Sequence, residues 1–416
     1  MYLQYFDKFK NMEPYLFIGE EEWEYIKKTF DKEDVKESLA KVAMEYPIPY
    51  ANISEDDAFK ALGKLKGMRH NEILIEGEWF AREGTEYKYD LTWEGKQQYF
   101  RRNNTGNAAS NYFQQKNRWS VDGTIAPGPK RTWETEKYMV SLMGSTYSLK
   151  LSKIDAGNLR IMLSLRKYIC SQFKPNVAKV LYDKLGSKSI LDFSAGWGDR
   201  LAGFYGSETG EFYIGIDPRK ENHPIYEEQK QFYEKHRTMF EVDKKSMFVE
   251  IPAEDFEYRE NMYDTVFTSP PYFSVERYSY DDTQSWVRYK TIDEWNEKFL
   301  QKTIEKIWPS IKSGGHLLVN ISDVYASSGA KIKRMGTNGK TWLEICNPMN
   351  DFISTFGDSE YQGCIGMEWL NDQIVVEQEL LQKKDLKMKQ ENLQNKQKRK
   401  HFVNLFGYGK KCKRIF

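Results

Sequence analysis

Two short stretches place chemistry-bearing residues at telling spacings. In DFSAGWGDR (192–200) two glycines, Gly196 and Gly198, let backbone amides approach a ligand where a helix begins. The next apolar run, EFYIGID, ends in Asp217, a carboxylate suited to accept both hydroxyls of a ribose. A dinucleotide fingerprint would place a third glycine at 201, where this chain has Leu201. A nucleoside cofactor without a pyrophosphate therefore fits about as well as a dinucleotide. The second stretch is TSPPYF (268–273), directly after the strand-like DTVF. Pro270 and Pro271 cannot donate to a sheet ladder and hold the chain extended, so the segment must leave the sheet at once. Doing so fixes the Ser269 hydroxyl and the rings of Tyr272 and Phe273 beside a strand end.

The elements that must position these residues are legible around them. LRIMLSLRKYICSQF has helical spacing; SILDFS, EFYIGID, SMFVEIPAEDF, YDTVFTSPPYF and SGGHLLVNISD read as five strands. Helix-like segments separate them, among them TIDEWNEKFLQKTIEKIWPSI with a Thr291–Glu294 capping box. This alternation predicts an α/β fold, a doubly wound and mostly parallel sheet with helices on both faces. EYQGCIGMEW and QIVVEQE read as a closing strand pair. Residues 1–102 read as an N-terminal α+β extension serving target recognition or another accessory role. The Asn-, Gly-, Ser- and Pro-rich stretch 103–130 reads as a long loop within a linker region, 103–154. The catalytic domain is expected over 155–378 and a basic tail over 379–416.

ILDFSAGWGDRL resembles motif I of the class I S-adenosylmethionine-dependent methyltransferases, and Asp217 stands where their ribose-binding acid stands. PAEDF (252–256) resembles the motif that brackets the adenine, and FKPNVA (173–178) resembles motif X, which supports the methionine end. TSPPYF resembles motif IV of the nucleic-acid amino-methyltransferases of bacteria and phages. The resemblance covers roughly 155–378. It implies S-adenosyl-L-methionine as cofactor, held by Phe173, Lys174, Pro175, Asp192, Ser194, Ala195, Gly196, Gly198, Asp217, Glu254 and Asp255. It also implies methyl transfer to an exocyclic amino group of a base. Ser269 Oγ and the Pro270 carbonyl would accept the two N–H bonds, both prolines would preorganise them, and Tyr272 or Phe273 would offer a face to a flipped base. Serine in the first position of the motif favours N4 of cytosine over N6 of adenine. Trp197 and the Asp199–Arg200 pair depart from the family pattern, in which small residues and Thr are commoner. The alternatives are a methyltransferase of protein or RNA, or a nucleic-acid-binding protein with an inactive methyltransferase fold.

The remaining composition narrows the classes. No cysteine lies between Cys170 and Cys346, which sets aside C5 chemistry through a cysteine nucleophile. Four scattered cysteines imply reduced thiols in a cytoplasmic protein, and five well-separated histidines imply no metal. No apolar run approaches membrane-spanning length. The net charge of +1 is unevenly spread: residues 101–185 hold 15 basic against 5 acidic side chains, and 381–416 hold 12 against 2. Both stretches suit a polyanion, and DNA is the expected partner. In YFRRNNTGNAASNYFQQKNRW, Arg101, Arg102, Lys116 and Arg118 interleave with rings, suiting phosphate contact with base stacking. The loop ERYSYDDTQSW after motif IV adds Glu276, Tyr278 and Gln284 as candidate substrate contacts.

Overall fold

Consecutive apolar residues that alternate between two faces build the centre of the molecule. The computed structural model describes residues 2–12, 14–77, 92–93, 95–123, 126–326, 341–367 and 413–415. Five strands are parallel: β1 (Ser189–Asp192), β2 (Phe212–Ile216), β3 (Lys245–Val249), β4 (Tyr263–Thr268) and β5 (Ile311–Val319). Their spatial order is β3-β2-β1-β4-β5. β6 (Gly363–Met367) and β7 (Lys413–Ile415) extend the sheet, with β7 antiparallel between β5 and β6. The order reverses between β1 and β4, the switch point at which open α/β sheets bind ligands. This is the doubly wound, Rossmann-like sheet that the alternation implied.

Both faces of the sheet are covered. Ile190, Tyr213, Phe267 and Leu318 point to one core, while their neighbours Leu191, Ile214, Val266, Leu317 and Val319 point to the other. The first core is roofed by α1 (Pro175–Lys184), α2 (Asp199–Gly206) and α3 (Asn222–Lys235). α1 and α2 approach at backbone contact: a Cβ on Gly203 would lie 2.5 Å from the Ala178 Cβ and 2.8 Å from the Pro175 carbonyl. The second core is roofed by the helical run Ile292–Glu294, Trp295–Gln301 and Lys302–Ile307, and by α4 (Cys346–Ile353). Thr291 caps that run, accepting the Glu294 amide at 3.1 Å, but the expected box is only half formed, since Glu294 Oε2 accepts the Lys290 amide at 3.3 Å, and the middle segment is a π-helix.

The chain divides into two units that interleave in sequence. The larger holds residues 54–113, 171–275 and 280–416; the smaller holds 1–53, 114–170 and 276–279. The smaller is mainly helical, with its own core around Phe6, Trp23, Leu39, Met139, Leu142 and Met162. These units do not follow the expected boundaries at 102, 154 and 378. The helix Glu55–Lys66 buries Ala58, Leu62 and Leu65 in the first sheet core, and Lys96–Phe100 pairs in parallel with β6. Lys413–Ile415, expected in a free tail, is a sheet strand. QIVVEQE, expected to close the sheet, lies outside the described residues.

Two further expectations need correction. The stretch 103–130 is not one long loop, because Asn107–Arg118 is a helix. Its inward face is polar: Ser110 and Gln114 are buried beside Ala109, so hydrophobic periodicity did not reveal it. The thiols are not all reduced either. Cys170 and Cys346 are free and buried, whereas Cys364 on β6 is disulfide-bonded to a partner outside the described residues.

Candidate functional site

The parallel register brings the expected motifs to one level. Leu191 pairs with Val266, and Val319 pairs with Thr268, so Ser194, Ser269 and Asn320 follow their strands at the same height on adjacent carboxyl ends. Asp192 pairs with Gly215, and the Ala195 amide donates to the Ile216 carbonyl at 3.0 Å, which sets Asp217 beside the motif I loop. Asp217 and Ser269 are thus two strand spacings apart, about 10 Å, with the switch point between them.

The loop Phe193–Gly198 is held from below and from behind. Asp192 is fully buried and accepts from Arg200 Nε at 2.7 Å, Arg200 Nη2 at 3.1 Å and the Tyr213 hydroxyl at 2.7 Å. Burial acts to discharge Arg200, but the charge and hydrogen bonds of Asp192 outweigh it and hold the guanidinium pKa above its ordinary value. Arg200 also donates to the Ser194 carbonyl, and the Ser194 amide donates to Asp192 at 3.2 Å. Gly198 has φ 68°, and a Cβ there would lie 2.4 Å from the Gln229 side chain, so conformation and space both demand glycine. Asp199 accepts from Gln172 Nε2 at 2.9 Å, the Phe173 amide at 3.1 Å and the Ser110 hydroxyl. Motif X is thereby tied to the start of α2. The Asp199–Arg200 departure supplies two structural anchors: one fixes the loop, the other fixes motif X.

Asp217 is partly occupied. Its Oδ2 accepts the Gly196 amide at 2.9 Å and its Oδ1 accepts the Arg219 amide at 2.8 Å; the Tyr226 hydroxyl, whose one proton is directed at the nearer Gly196 carbonyl, lies 3.1 Å from Oδ2. A carboxylate offers about four acceptor sites, so two remain for a ligand. Burial pushes the Asp217 pKa up, opposed by the Arg219 and Gly196 amides and the nearby His223 and Arg219 charges. Asn222 Nδ2 and the Tyr226 hydroxyl hold the Gly196 carbonyl at 3.0 and 2.5 Å, and Tyr226 stacks on Phe248 at 4.4 Å. Arg219 lies over the Trp197 ring at 5.3 Å.

The other expected cofactor residues take mixed positions. Ala195 is buried within the loop, and Phe173 is a core residue packed edge-on to Phe267 at 5.5 Å. Pro175 opens α1, and Lys174 Nζ donates to Asn104 Oδ1 at 2.7 Å. Glu254 is buried and accepts from Arg288 Nη1 at 2.6 Å and the Tyr289 hydroxyl at 3.0 Å, while Asp255 pairs with Arg288 at 2.8 Å. Burial raises the Glu254 pKa against its own backbone amide, Arg288 and Tyr289.

At motif IV the chain leaves β4 as the prolines require. Asn320 Nδ2 donates to Ser269 Oγ at 2.8 Å, and Ser269 Oγ donates to the Asn320 carbonyl at 3.3 Å. One Oγ lone pair is left to accept from a substrate. Asn320 is fully buried, and its Oδ1 has no partner among the described residues. Sequence reading missed this residue, whose only signal was a polar side chain ending an apolar strand. Tyr272 is not an open stacking face: it is buried, with its hydroxyl on the Asn320 carbonyl at 3.1 Å. Phe273 is buried too, and its φ of 49° is a strained left-handed conformation for a bulky residue. Pro270 is buried, whereas Ser269 and Pro271 are partly accessible.

The expected nucleic-acid contacts fall in different units. Arg101 and Arg102 are exposed just beyond Lys96–Phe100 in the larger unit. Lys116 and Arg118 belong to the smaller unit, where Arg118 Nη1 donates to the Cys170 carbonyl at 2.7 Å and Trp119 is buried. Gln284 is buried rather than exposed on a loop, and its Nε2 has no partner among the described residues. Glu276 is buried and accepts from both Tyr168 and Tyr278. Among the described residues no cluster of His, Cys, Asp and Glu is arranged to hold a metal, and no helix is long and apolar enough to cross a membrane.

No protein-family model matches the chain, and no curated protein sequence does. Solved structures similar to it include a tRNA methyltransferase from Aquifex aeolicus, at 15% identity over 36% of this chain and 47% of that one, with a TM-score of 0.25. An S-adenosylmethionine-dependent methyltransferase from Mesorhizobium loti is similar at 11% identity over 57% and 94%, with a TM-score of 0.28. The plantazolicin methyltransferase, solved with S-adenosylhomocysteine (SAH), is similar at 12% over 35% and 45%, with a TM-score of 0.23. The chain spans about half the length of the first of these. The fold itself rests on the strand order, with its reversal between β1 and β4 and its antiparallel β7.

Proposed function

We propose that this chain is an S-adenosylmethionine-dependent methyltransferase acting on an exocyclic amino group of a nucleic-acid base, DNA before RNA and cytosine N4 before adenine N6. The observation that carries the reading is the alignment of Asp217, the Gly196–Gly198 loop and Ser269 on one carboxyl edge at the switch point. The residues present fit the cofactor: a glycine turn opens α2, and a buried carboxylate with two acceptor sites left follows β2. S-adenosylmethionine supplies an electrophilic sulfonium methyl group.

The chain's own part is to orient and to accept. An exocyclic amino group is a poor nucleophile because its lone pair is shared with the ring. Ser269 Oγ, turned by Asn320 so that one lone pair faces outward, accepts one N–H; the Pro270 carbonyl accepts the other. These acceptors favour a pyramidal nitrogen whose lone pair is free to attack. As the nitrogen–carbon bond formed, the carbon–sulfur bond of the sulfonium would break to leave a neutral thioether, and the nitrogen would shed one proton to water. Tyr272 acts through Asn320 as a positioning residue, a change from the stacking role expected of it.

The test is tritium transfer from labelled S-adenosylmethionine to DNA, RNA and bulk protein, followed by digestion of the labelled DNA to nucleosides. Label in N4-methylcytosine supports the full reading. Label in N6-methyladenine alone overturns the base preference, and label only in RNA or protein overturns the substrate class.

A further inference from the structure

Beside the candidate site, and within the larger unit, lies an open cleft. Its floor is apolar: Phe100 and Met367 pair across two parallel strands that deliver their carboxyl ends there. Its rim is cationic, formed by Arg101 and Arg102 from the chain leaving one strand and by Lys174 at the start of α1. None of the residues lining it is acidic. One more group faces it from α1. Asn176 is 1% exposed, and its Oδ1 has no partner among the described residues. Its Nδ2 is committed to the Asn103 carbonyl at 3.2 Å and to Asn103 Oδ1 at 3.1 Å, so the amide cannot reverse without setting oxygen against oxygen. A buried, unpaired acceptor is costly, and a ligand donor relieves it.

We propose that this cleft binds one nucleotide unit of a nucleic-acid strand, with its phosphate on Arg101, Arg102 and Lys174 and a sugar or base donor on Asn176 Oδ1. An apolar floor suits a base or sugar face, and guanidinium forks suit phosphate. The cleft opens on the carboxyl edge of the same extended sheet that carries Ser269. It therefore serves the strand whose base is methylated, and in naming that strand it rests on the reading above.

The experiment uses the full chain and fluorescence anisotropy of short single-stranded deoxy- and ribo-oligonucleotides across a salt series. Arg101→Ala/Arg102→Ala is expected to weaken binding roughly tenfold or more. It should also lower the log-affinity against log-salt slope by about 0.7, the value of one phosphate contact on a single strand. Cofactor affinity, measured by calorimetry, should stay the same, and Arg101→Lys/Arg102→Lys should restore most of the slope. Photocrosslinking of an iodouracil-containing oligonucleotide should map to residues 100–103 or 171–177. An unchanged slope, crosslinks confined elsewhere, or no oligonucleotide binding would each overturn the proposal. So would a free mononucleotide that binds the cleft without being displaced by a strand. Methyl transfer is scored separately: crosslinking to the cleft with no methylated base leaves this site standing and sinks the methyltransferase reading, and the reverse result does the opposite.

Discussion

Ser269 and Asn320 share a reciprocal pair of hydrogen bonds that sets which Ser269 lone pair remains available. Removing either member should therefore cost turnover without touching the cofactor. Ser269→Ala and Asn320→Ala are each expected to lower kcat by ten- to a hundredfold, the worth of about 1.5–3 kcal/mol in one charge-assisted contact. Single-turnover kinetics beside calorimetry checks this; loss of cofactor affinity with an unchanged rate would reverse the assignment. Asp217 carries the complementary prediction. Asp217→Ala should weaken S-adenosylmethionine binding by about 1.5–3 kcal/mol. Because burial raises the Asp217 pKa, the ionised form that accepts a hydroxyl is lost at a higher pH than for an ordinary aspartate. Cofactor affinity should fall on acidification from above the usual carboxylate range, and calorimetry over a pH series measures it. The sign for stability is opposite. A raised folded pKa gives a contribution present in acid, below the unfolded pKa, and lost as pH rises through the folded one.

Among the elements, the α1–α2 contact joins motif X to motif I. Gly203→Ala would drive a Cβ to 2.5 Å from the Ala178 Cβ, and overpacking of this kind costs about 1–3 kcal/mol. Urea unfolding should show a lower midpoint with an unchanged slope, and Gly203→Ala/Ala178→Gly should recover part of the loss. The central strands were legible because Ile190, Leu191, Tyr213 and Ile214 are consecutive apolar residues buried on both faces, bounded by turns. Helix Asn107–Arg118 was not, since its buried side chains include Ser110 and Gln114, whose role emerges only with distant partners such as Asp199. The motif spacings set out a candidate site along the chain, and the strand register brings those motifs to one carboxyl edge. What they did not reveal was the division of labour within it: Asp192, Asp199, Glu254 and Tyr272 hold neighbours, and Asn320 has no spacing to announce it.

For the whole molecule, β7 changes what the C-terminus means. Lys413–Ile415 fills the slot between β5 and β6, although three residues in a basic stretch carry no strand signal of their own. Deleting 381–416 would expose the ladder groups of both neighbours and remove the tail's cations together. The truncated chain is expected to melt at a lower temperature even at high salt, where lost charge no longer matters. Calorimetric scans at low and high salt separate the two effects; an unchanged Tm at both would make β7 dispensable.

The interleaving of the two units restricts how this protein could be cut, shuffled or inherited. The smaller unit is assembled from three stretches, and the last is only Glu276–Ser279, whose Glu276–Arg277 strand pairs with Asp122–Gly123. No single pair of cuts releases either unit whole. Recombination cannot exchange the helical part as a cassette, because its last piece is threaded between motif IV and the segment leading to Gln284. The smaller unit can drift by substitution but cannot be replaced in one step, so the two parts are bound to a common history.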